Sequence, residues 1–190
     1  MPKLKLACFL ALGAGLLLCG CLPQASIPDG VQVYFSPNGG ATDAVVNALD
    51  HATNTVLVQA YSFTSAPIAK ALVDAHRRGL NVQVLLDRSQ RTEKYSEADF
   101  LKNNGIPTLI DAQHAIAHNK IILIDGYIVL TGSFNFTKAA EEHNAENLLV
   151  INDAVLARQY LENWHAHERH AESYERPEKP VARPSRSKRL

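Results

Sequence analysis

His118-Asn119-Lys120-Ile121-Ile122-Leu123-Ile124-Asp125-Gly126-Tyr127-Ile128-Val129-Leu130-Thr131-Gly132-Ser133-Phe134-Asn135 reads as a strand, a tight turn and a returning strand, with the reactive side chains gathered at one end. Lys120 to Ile124 is rich in β-branched residues and bounded by polar ones, the pattern of a buried strand. Asp125-Gly126 is a strong two-residue hairpin signal. Tyr127 to Thr131 returns. Alternation puts His118 and Lys120 on the same side of the first strand, and the hairpin carries Gly132-Ser133 back beside them. Gly132 permits close backbone approach, while Ser133 and Asn135 offer neutral donors to an anion. A histidine, a lysine, a hydroxyl and an amide brought together suit covalent handling of a phosphate ester.

Working outward, strands and helices alternate. Val31 to Ser36 alternates as a strand, and Ala41 to Ala52 is helical in pattern, with Thr42 or Asp43 near its start. Thr55 to Tyr61 is a strand. Pro67 opens a helix that Gly79 closes after Arg77-Arg78. Asn81 to Leu86 is a strand, Glu93 to Asn103 a helix, and Ile106 to Ile110 a strand. After the hairpin come a strand at Asn147 to Ile151 and a last helix from Asp153, its N-cap, to the region of Glu172. This order predicts an α/β single domain, a mixed β-sheet flanked by helices, over residues 31–175. No internal repeat is visible.

The first residues read as an address. Lys3 and Lys5 precede an apolar run from Leu6 to Leu18, the length and flanks of a secretory signal rather than a spanning helix. The run ends Leu18-Cys19-Gly20-Cys21, similar to a bacterial lipobox with Cys21 lipidated; Cys19 is an unusual occupant of its position, so cleavage further on and an uncleaved anchor stay open. Residues 1–21 are thus expected to be signal and lipobox, and 22–30 a tether. The expected location is exported, on the periplasmic side, membrane-anchored through Cys21. All 3 cysteines lie at or before Cys21, which excludes a disulfide framework or thiol nucleophile in the domain.

The 19 Lys+Arg balance 19 Asp+Glu over the chain. The balance hides a split. Arg176 to Leu190 carries 6 basic residues against 1 acidic, leaving residues 21–175 with 11 against 18, a net charge of −7. Residues 176–190 are Pro- and Arg/Lys-rich without periodicity and read as a disordered basic tail. A broad cationic footprint for nucleic acid is absent from the core. Local candidates are Arg88, Arg91 and Lys138; the stretch from Arg88 to Lys94 reads equally well as a solvated loop.

The segment resembles the His-x-Lys-x4-Asp-x6-Gly-Ser motif of the phospholipase D superfamily. Ala60-Tyr61-Ser62-Phe63-Thr64, Thr131 to Glu141 and Asn144-Ala145-Glu146-Asn147 are similar to the small single-motif bacterial endonucleases of that superfamily. The resemblance covers roughly Val31 to Tyr174. It implies catalysis by His118 as nucleophile through a phosphohistidine, with Lys120, Ser133 and Asn135 holding the nonbridging oxygens. It also implies that Glu146 hydrogen-bonds the far ring nitrogen of a histidine. Asp125 occupies the motif aspartate position; its place in the turn favours a structural, hairpin-capping role over a catalytic one. Family chemistry uses two such motifs facing each other, and this chain has one, so the expectation is a homodimer sharing one active site. The substrate expected is DNA, with RNA an open extension, and no cofactor or metal is required.

Other histidines tempt a metal reading. His114 and His118 are four apart but precede a strand; His165, His167 and His170 cluster on the last helix, where His165 and His167 point to different faces. The expectation is therefore solvated histidines and no metal. Trp164 and Tyr160 read as core or dimer anchors, and Tyr61-Ser62-Phe63-Thr64, at a strand end, as either packing or site lining, with Ser62 the candidate binding residue. Two further readings stand beside the endonuclease: a phospholipase or phosphatidyl transferase acting on membrane lipid, and a catalytically idle nucleic-acid-binding module.

Overall fold

The computed structural model describes residues 30–176. The expected signal, lipobox cysteine Cys21 and tether, and the tail beyond Arg176, lie outside these residues. Eight strands form one sheet in the order β1-β7-β6-β5-β2-β3-β4-β8: β1 (Val31–Ser36), β2 (Thr55–Ala60), β3 (Asn81–Asp87), β4 (Thr108–Asp111), β5 (Lys120–Ile124), β6 (Ile128–Gly132), β7 (Glu146–Asn152) and β8 (Glu172–Ser173). β2, β3 and β4 run parallel, and the remaining neighbours are antiparallel. The mixed sheet was therefore legible as such. The parallel part arises where helices connect strands, because a parallel pair needs a crossover; the antiparallel part arises at the tight hairpin.

Alternation divides the central strands between two cores. Ile122, Ile124, Val56, Val58, Val84 and Leu86 pack with α1 (Ala41–Asp50), α2 (Ala66–Arg77), α3 (Ala98–Asn103) and α4 (Lys138–Glu142). Ile121, Leu123, Leu57, Leu85 and Val129 pack with Ala157 and Trp164 of α5 (Ala154–Glu168) on the other face. Each fully buried Ile, Leu or Phe contributes about 1.5–3 kcal/mol of hydrophobic stabilisation. Trp164 is a core anchor, its Nε1 donating to the Val58 carbonyl at 3.1 Å.

Helix boundaries follow caps. Pro67 lies in the first turn of α2, and Gly79 follows it with φ of 94°. Asp153 caps α5 by accepting from the N–H groups of Val155 and Leu156. The start of α1 is different: neither Thr42 nor Asp43 caps it. Glu141 of α4 reaches across and accepts from the Gly40 and Thr42 N–H groups at 3.3 and 2.7 Å.

Three expectations need correction. The helix expected over Glu93 to Asn103 is confined to the shorter α3, which starts at Ala98, and a 3₁₀ turn at Arg88–Arg91 precedes the irregular stretch before it. Asp87 caps the turn through the Ser89 N–H, and the Glu97 N–H donates to the Phe63 carbonyl, which holds the intervening chain out of a helix. The last helix stops at Glu168 rather than near Glu172, because the chain turns back to add β8 and to bury Tyr174, whose hydroxyl donates to Asp99 at 2.9 Å. Burial, then the Asp99 carboxylate, pushes that phenol up to about 12. Arg176, assigned to the tail, instead pairs with Asp99 at the domain edge. The five-residue α4 had no periodic signature; Thr137 makes it by capping the Ala140 N–H.

Candidate active site

The sheet delivers the motif residues to one edge. Lys120 pairs with Ala60 across β5 and β2, Ser36 with Glu146 across β1 and β7, and Gly132 with Leu148 across β6 and β7. The ends of these strands therefore meet. The Tyr61 N–H donates to the Asn119 carbonyl at 2.9 Å and fixes the chain entering β5.

His118 is exposed there, its ring 4.5 Å from that of Tyr61. Lys120 is only 6% exposed. Its Nζ lies over the Tyr61 ring, 5.2 Å from the centroid, and donates to the His118 carbonyl at 2.8 Å. Burial pushes the Lys120 ammonium below its usual range, and the Glu146 carboxylate opposes that shift. A buried ammonium in a low-dielectric wall attracts an anion more strongly than a solvated one.

The Gly-Ser-x-Asn segment is built by alternation. Phe134 and Phe136 are 1% and 0% exposed and anchor the chain in the core, with Phe136 edge-on to Phe63. Ser133 and Asn135 between and before them remain at the edge. Ser133 Oγ accepts from the Asn147 N–H and Nδ2 at 3.0 and 3.3 Å, which leaves its own O–H to donate. Asn135 donates its backbone N–H to Glu146 at 2.8 Å, while its Oδ1 is buried without a hydrogen bond. Gly132 has φ of 145°, and a Cβ there would lie 2.3 Å from the Asn147 carbonyl oxygen, so the close approach requires glycine. Glu146 accepts from Asn135 and Asn144; within one chain its carboxylate is bonded to these partners, not to a histidine ring.

Asp125 is brought elsewhere. It stands beyond the far end of β5 with φ of 55°. At about 3.3 Å per strand residue it is on the order of 20 Å from His118. Its carboxylate accepts from the Thr53 N–H and hydroxyl and from the Asn54 and Thr55 N–H groups, all within 2.8–2.9 Å. Burial pushes its carboxyl up, but the bonds from Thr55, Thr53 and Asn54 outweigh that and hold it below the ordinary carboxylate range. Of the two roles open to the motif aspartate, catalytic and structural, the geometry fits the favoured structural one: it fastens the hairpin turn to the loop before β2.

The candidate binding residues scatter. Ser62 is half-buried beside Tyr61. Arg88 donates to the Ala115 carbonyl at 3.0 Å and so holds the loop leading to His118. Arg91 pairs with Glu172 of β8 at 2.6 Å, at the opposite sheet edge from β7. Lys138 is exposed at the start of α4, 3.5 Å from Glu142. Of the two readings open for Tyr61, site lining fits its place against the His118 ring; sequence reasoning missed Asp87, a buried carboxylate that accepts from the Ala117 N–H at 2.7 Å beside the reactive residue.

The histidines also differ from expectation. His165 turns to Glu168, but His114, His167 and His170 converge on Asp111, with one potential ligand atom from each of the four lying within 4.8 Å of the others. The reading of separate solvated histidines is corrected for these three. A polar cleft of about 370 Å³ runs from His114 and His167 past Ile116 and Asn163 to His118 and Asn119.

An exposed imidazole beside a buried ammonium, with a glycine-backed hydroxyl and amide across from them, is the equipment of a phosphoryl-transfer enzyme. Comparison with known proteins agrees. Residues 45–167 match the family model described as "Cardiolipin synthase, PLD-like domain". A phospholipase D of Rickettsia felis is 45% identical over 134 residues, 70% of this chain and 67% of the relative. A mitochondrial cardiolipin hydrolase of Xenopus laevis is 33% identical over 104 residues, covering 55% of this chain and 50% of that protein. The crystal structure of Nuc, a phospholipase D family member from Salmonella typhimurium, superposes with a TM-score of 0.73 at 42% identity, over 76% of this chain and 97% of Nuc. The chain belongs to the phospholipase D superfamily, and it is a phosphodiester hydrolase of that family.

Proposed function

We propose that the chain is a metal-independent endonuclease that hydrolyses DNA at an active site shared by two copies, with RNA left as an open extension. The observation that carries this reading is the exposed His118 of the chain's one His-x-Lys motif, lining an open, mainly polar cleft with His114, Asn119, Asn163 and His167. Such a cleft suits a polyanion running across a surface. The similarity to Nuc over nearly its whole length supports it, as does the likeness of Thr131 to Glu141 and Asn144 to Asn147 to single-motif bacterial endonucleases.

Neutral His118 attacks phosphorus; a nitrogen–phosphorus bond forms as the phosphorus–oxygen bond to the leaving group breaks. The partner's His118, protonated, gives that oxygen its proton. Water then attacks phosphorus, the same partner histidine takes the water proton, and the nitrogen–phosphorus bond breaks. Histidine ionises near neutrality, so equivalent side chains can hold opposite states in one turnover. Lys120 and the free Ser133 hydroxyl bind the nonbridging oxygens as charge builds. Two observations support a second copy: among the described residues Glu146 has no histidine partner, and the buried Asn135 Oδ1 accepts no hydrogen bond from them.

A specific observation keeps phospholipid as a second reading. Phe35 and Ile116, 65% and 54% exposed, stand near the site edge, where apolar side chains would meet acyl chains. Export and anchoring through Cys21 would place either substrate within reach.

The test offers the purified protein plasmid DNA and labelled phosphatidyl vesicles in parallel, in excess EDTA at 25 °C. Cleaved DNA with intact lipid is expected. Lipid hydrolysis with intact DNA would replace the endonuclease reading, and revival of a dead enzyme by Mg²⁺ alone would overturn the metal-free mechanism. Sedimentation at assay concentration is expected to show a dimer; a fully active monomer would refute the shared site.

A further inference from the structure

We propose that Asp111, His114, His167 and His170 form a binding site for a divalent transition metal, with Zn²⁺ the best chemical fit, distinct from the phosphoryl-transfer site. The four residues come from three places: the end of β4, the loop after it, and the last turn of α5 and its exit. Asp111 is completely buried, and the His167 Nδ1 lies 2.7 Å from its Oδ2. His170 Nε2 is 3.2 Å from Oδ1, and His114 Nε2 is 3.7 Å from Oδ2. The three rings pack around the carboxylate with centroids 4.9–5.5 Å apart.

Hydrogen bonding alone does not account for this cluster. His170 Nε2 is buried and makes no properly directed hydrogen bond despite its closeness to Asp111. Both Asp111 oxygens face imidazole nitrogens, Oδ2 that of His167 and Oδ1 that of His170, so the buried carboxylate stands where an anionic ligand is needed. Three imidazole nitrogens and one carboxylate oxygen are a borderline-soft tetrahedral donor set, which selects Zn²⁺ over Mg²⁺ or Ca²⁺. The Gln113 N–H, 3.1 Å from Oδ1, supplies the outer hydrogen bond that orients a ligating carboxylate.

The role follows from position. His114 is four residues before His118, and Arg88 and Asp87 already tether the intervening Ala115 and Ala117. A metal would fasten this loop and the α5 exit to β4, fixing the approach of the catalytic strand without touching the reacting atoms.

The test uses the full chain without an affinity tag, stripped with EDTA and dialysed. Calorimetric titration with Zn²⁺ is expected to show one equivalent per chain and a raised Tm, and Co²⁺ to give the visible bands of a tetrahedral N/O site. Exposed His114 can be changed with little risk to folding; His114→Ala is expected to weaken Zn²⁺ by at least about 10-fold, the loss that even outer ligands cause, and His170→Ala to do the same. No saturable binding at micromolar Zn²⁺, or binding unchanged in the double variant (the N-terminal cysteines then being the ligands), would overturn the proposal. The readout is metal binding, so it stands or fails separately from the choice between DNA and lipid.

Discussion

At one end of β5 polar groups are left open; at the other they are closed. His118 is exposed, Lys120 is buried with a lowered ammonium pKa, and Asn135 Oδ1 lacks a hydrogen bond. Twenty-odd ångströms along the strand direction, on the order set by its rise per residue, Asp125 has both oxygens filled by four donors. These residues belong to one contiguous motif. Unsatisfied polar groups cost stability and remain where a ligand can use them, whereas satisfied ones hold the framework. Contiguity in sequence therefore joins two different tasks: the strand carries the chemistry at its start and is anchored at its finish.

The sharpest way to break this contrast is to remove the reactive group. His118→Asn is expected to lower turnover by roughly 10³-fold or more, since the same side chain serves as nucleophile and as acid. Because the ring is exposed, Tm should stay within about a degree or two, as for surface substitutions generally. A large fall in Tm would mean that the open end also carries the fold. Gly132→Ala follows. The added Cβ must displace the Asn147 carbonyl, moving Ser133 with it. A displacement near 1 Å costs about 10²-fold in rate, measured as kcat on a small phosphodiester, with dimerisation checked by sedimentation.

The closed end predicts the reverse. Asp125→Asn keeps size but turns an acceptor-only group into one with donors facing four donors, so unfolding free energy should fall by about 1–3 kcal/mol, read by denaturant titration at pH 7. kcat below the transition temperature should hardly move. The pH sign follows from the lowered carboxyl pKa of Asp125. A depressed folded-state value gives stability that is fully present above the unfolded pKa of about 3.9 and is lost as pH falls through the folded value. Wild type and variant should therefore converge in acid. Equal spacing of the two curves from pH 7 to pH 3 would show that ionised Asp125 is not what secures the turn.

Much of this is legible in the sequence, for local reasons. The hairpin and its glycine-turn signals are contiguous, so strand pairing puts His118, Lys120 and Ser133 together without long-range knowledge. Asp125 was read as structural for the same reason, its place in the turn. What escaped depends on distant segments meeting. Glu141 caps α1 from about a hundred positions away. Asp111 meets His167 and His170 only because β4 and α5 are neighbours in space. A clue was present in spacing: Asp111 and His114, and His167 and His170, are both i, i+3 pairs. Pairing His167 with His165, two residues away, hid the face that matters. The short α4 and the early end of α5 were set by the Thr137 cap and the burial of Tyr174, neither of which leaves a periodic trace.

The smallest expected effect tests how the closed end shares its load. Thr53 contributes two of the four donors to Asp125, its N–H and its hydroxyl at 2.8 Å, and the residue is exposed. Thr53→Val removes only the hydroxyl and keeps the shape. A single hydrogen bond to a charged group is worth about 1.5 kcal/mol or less at such a site after exchange with water. The loss should be at the low end, because the remaining three backbone donors stay fixed by β2 and its approach. In the double variant with Asp125→Asn the loss should be smaller than the sum of the two, since the hydroxyl then has no carboxylate to meet. The quantity to measure is that coupling energy by denaturant unfolding, alongside kcat. Additive losses would mean that Thr53 and Asp125 act separately. A change in kcat for Thr53→Val would mean that the two ends of β5 are mechanically coupled, and the division between them would have to be withdrawn.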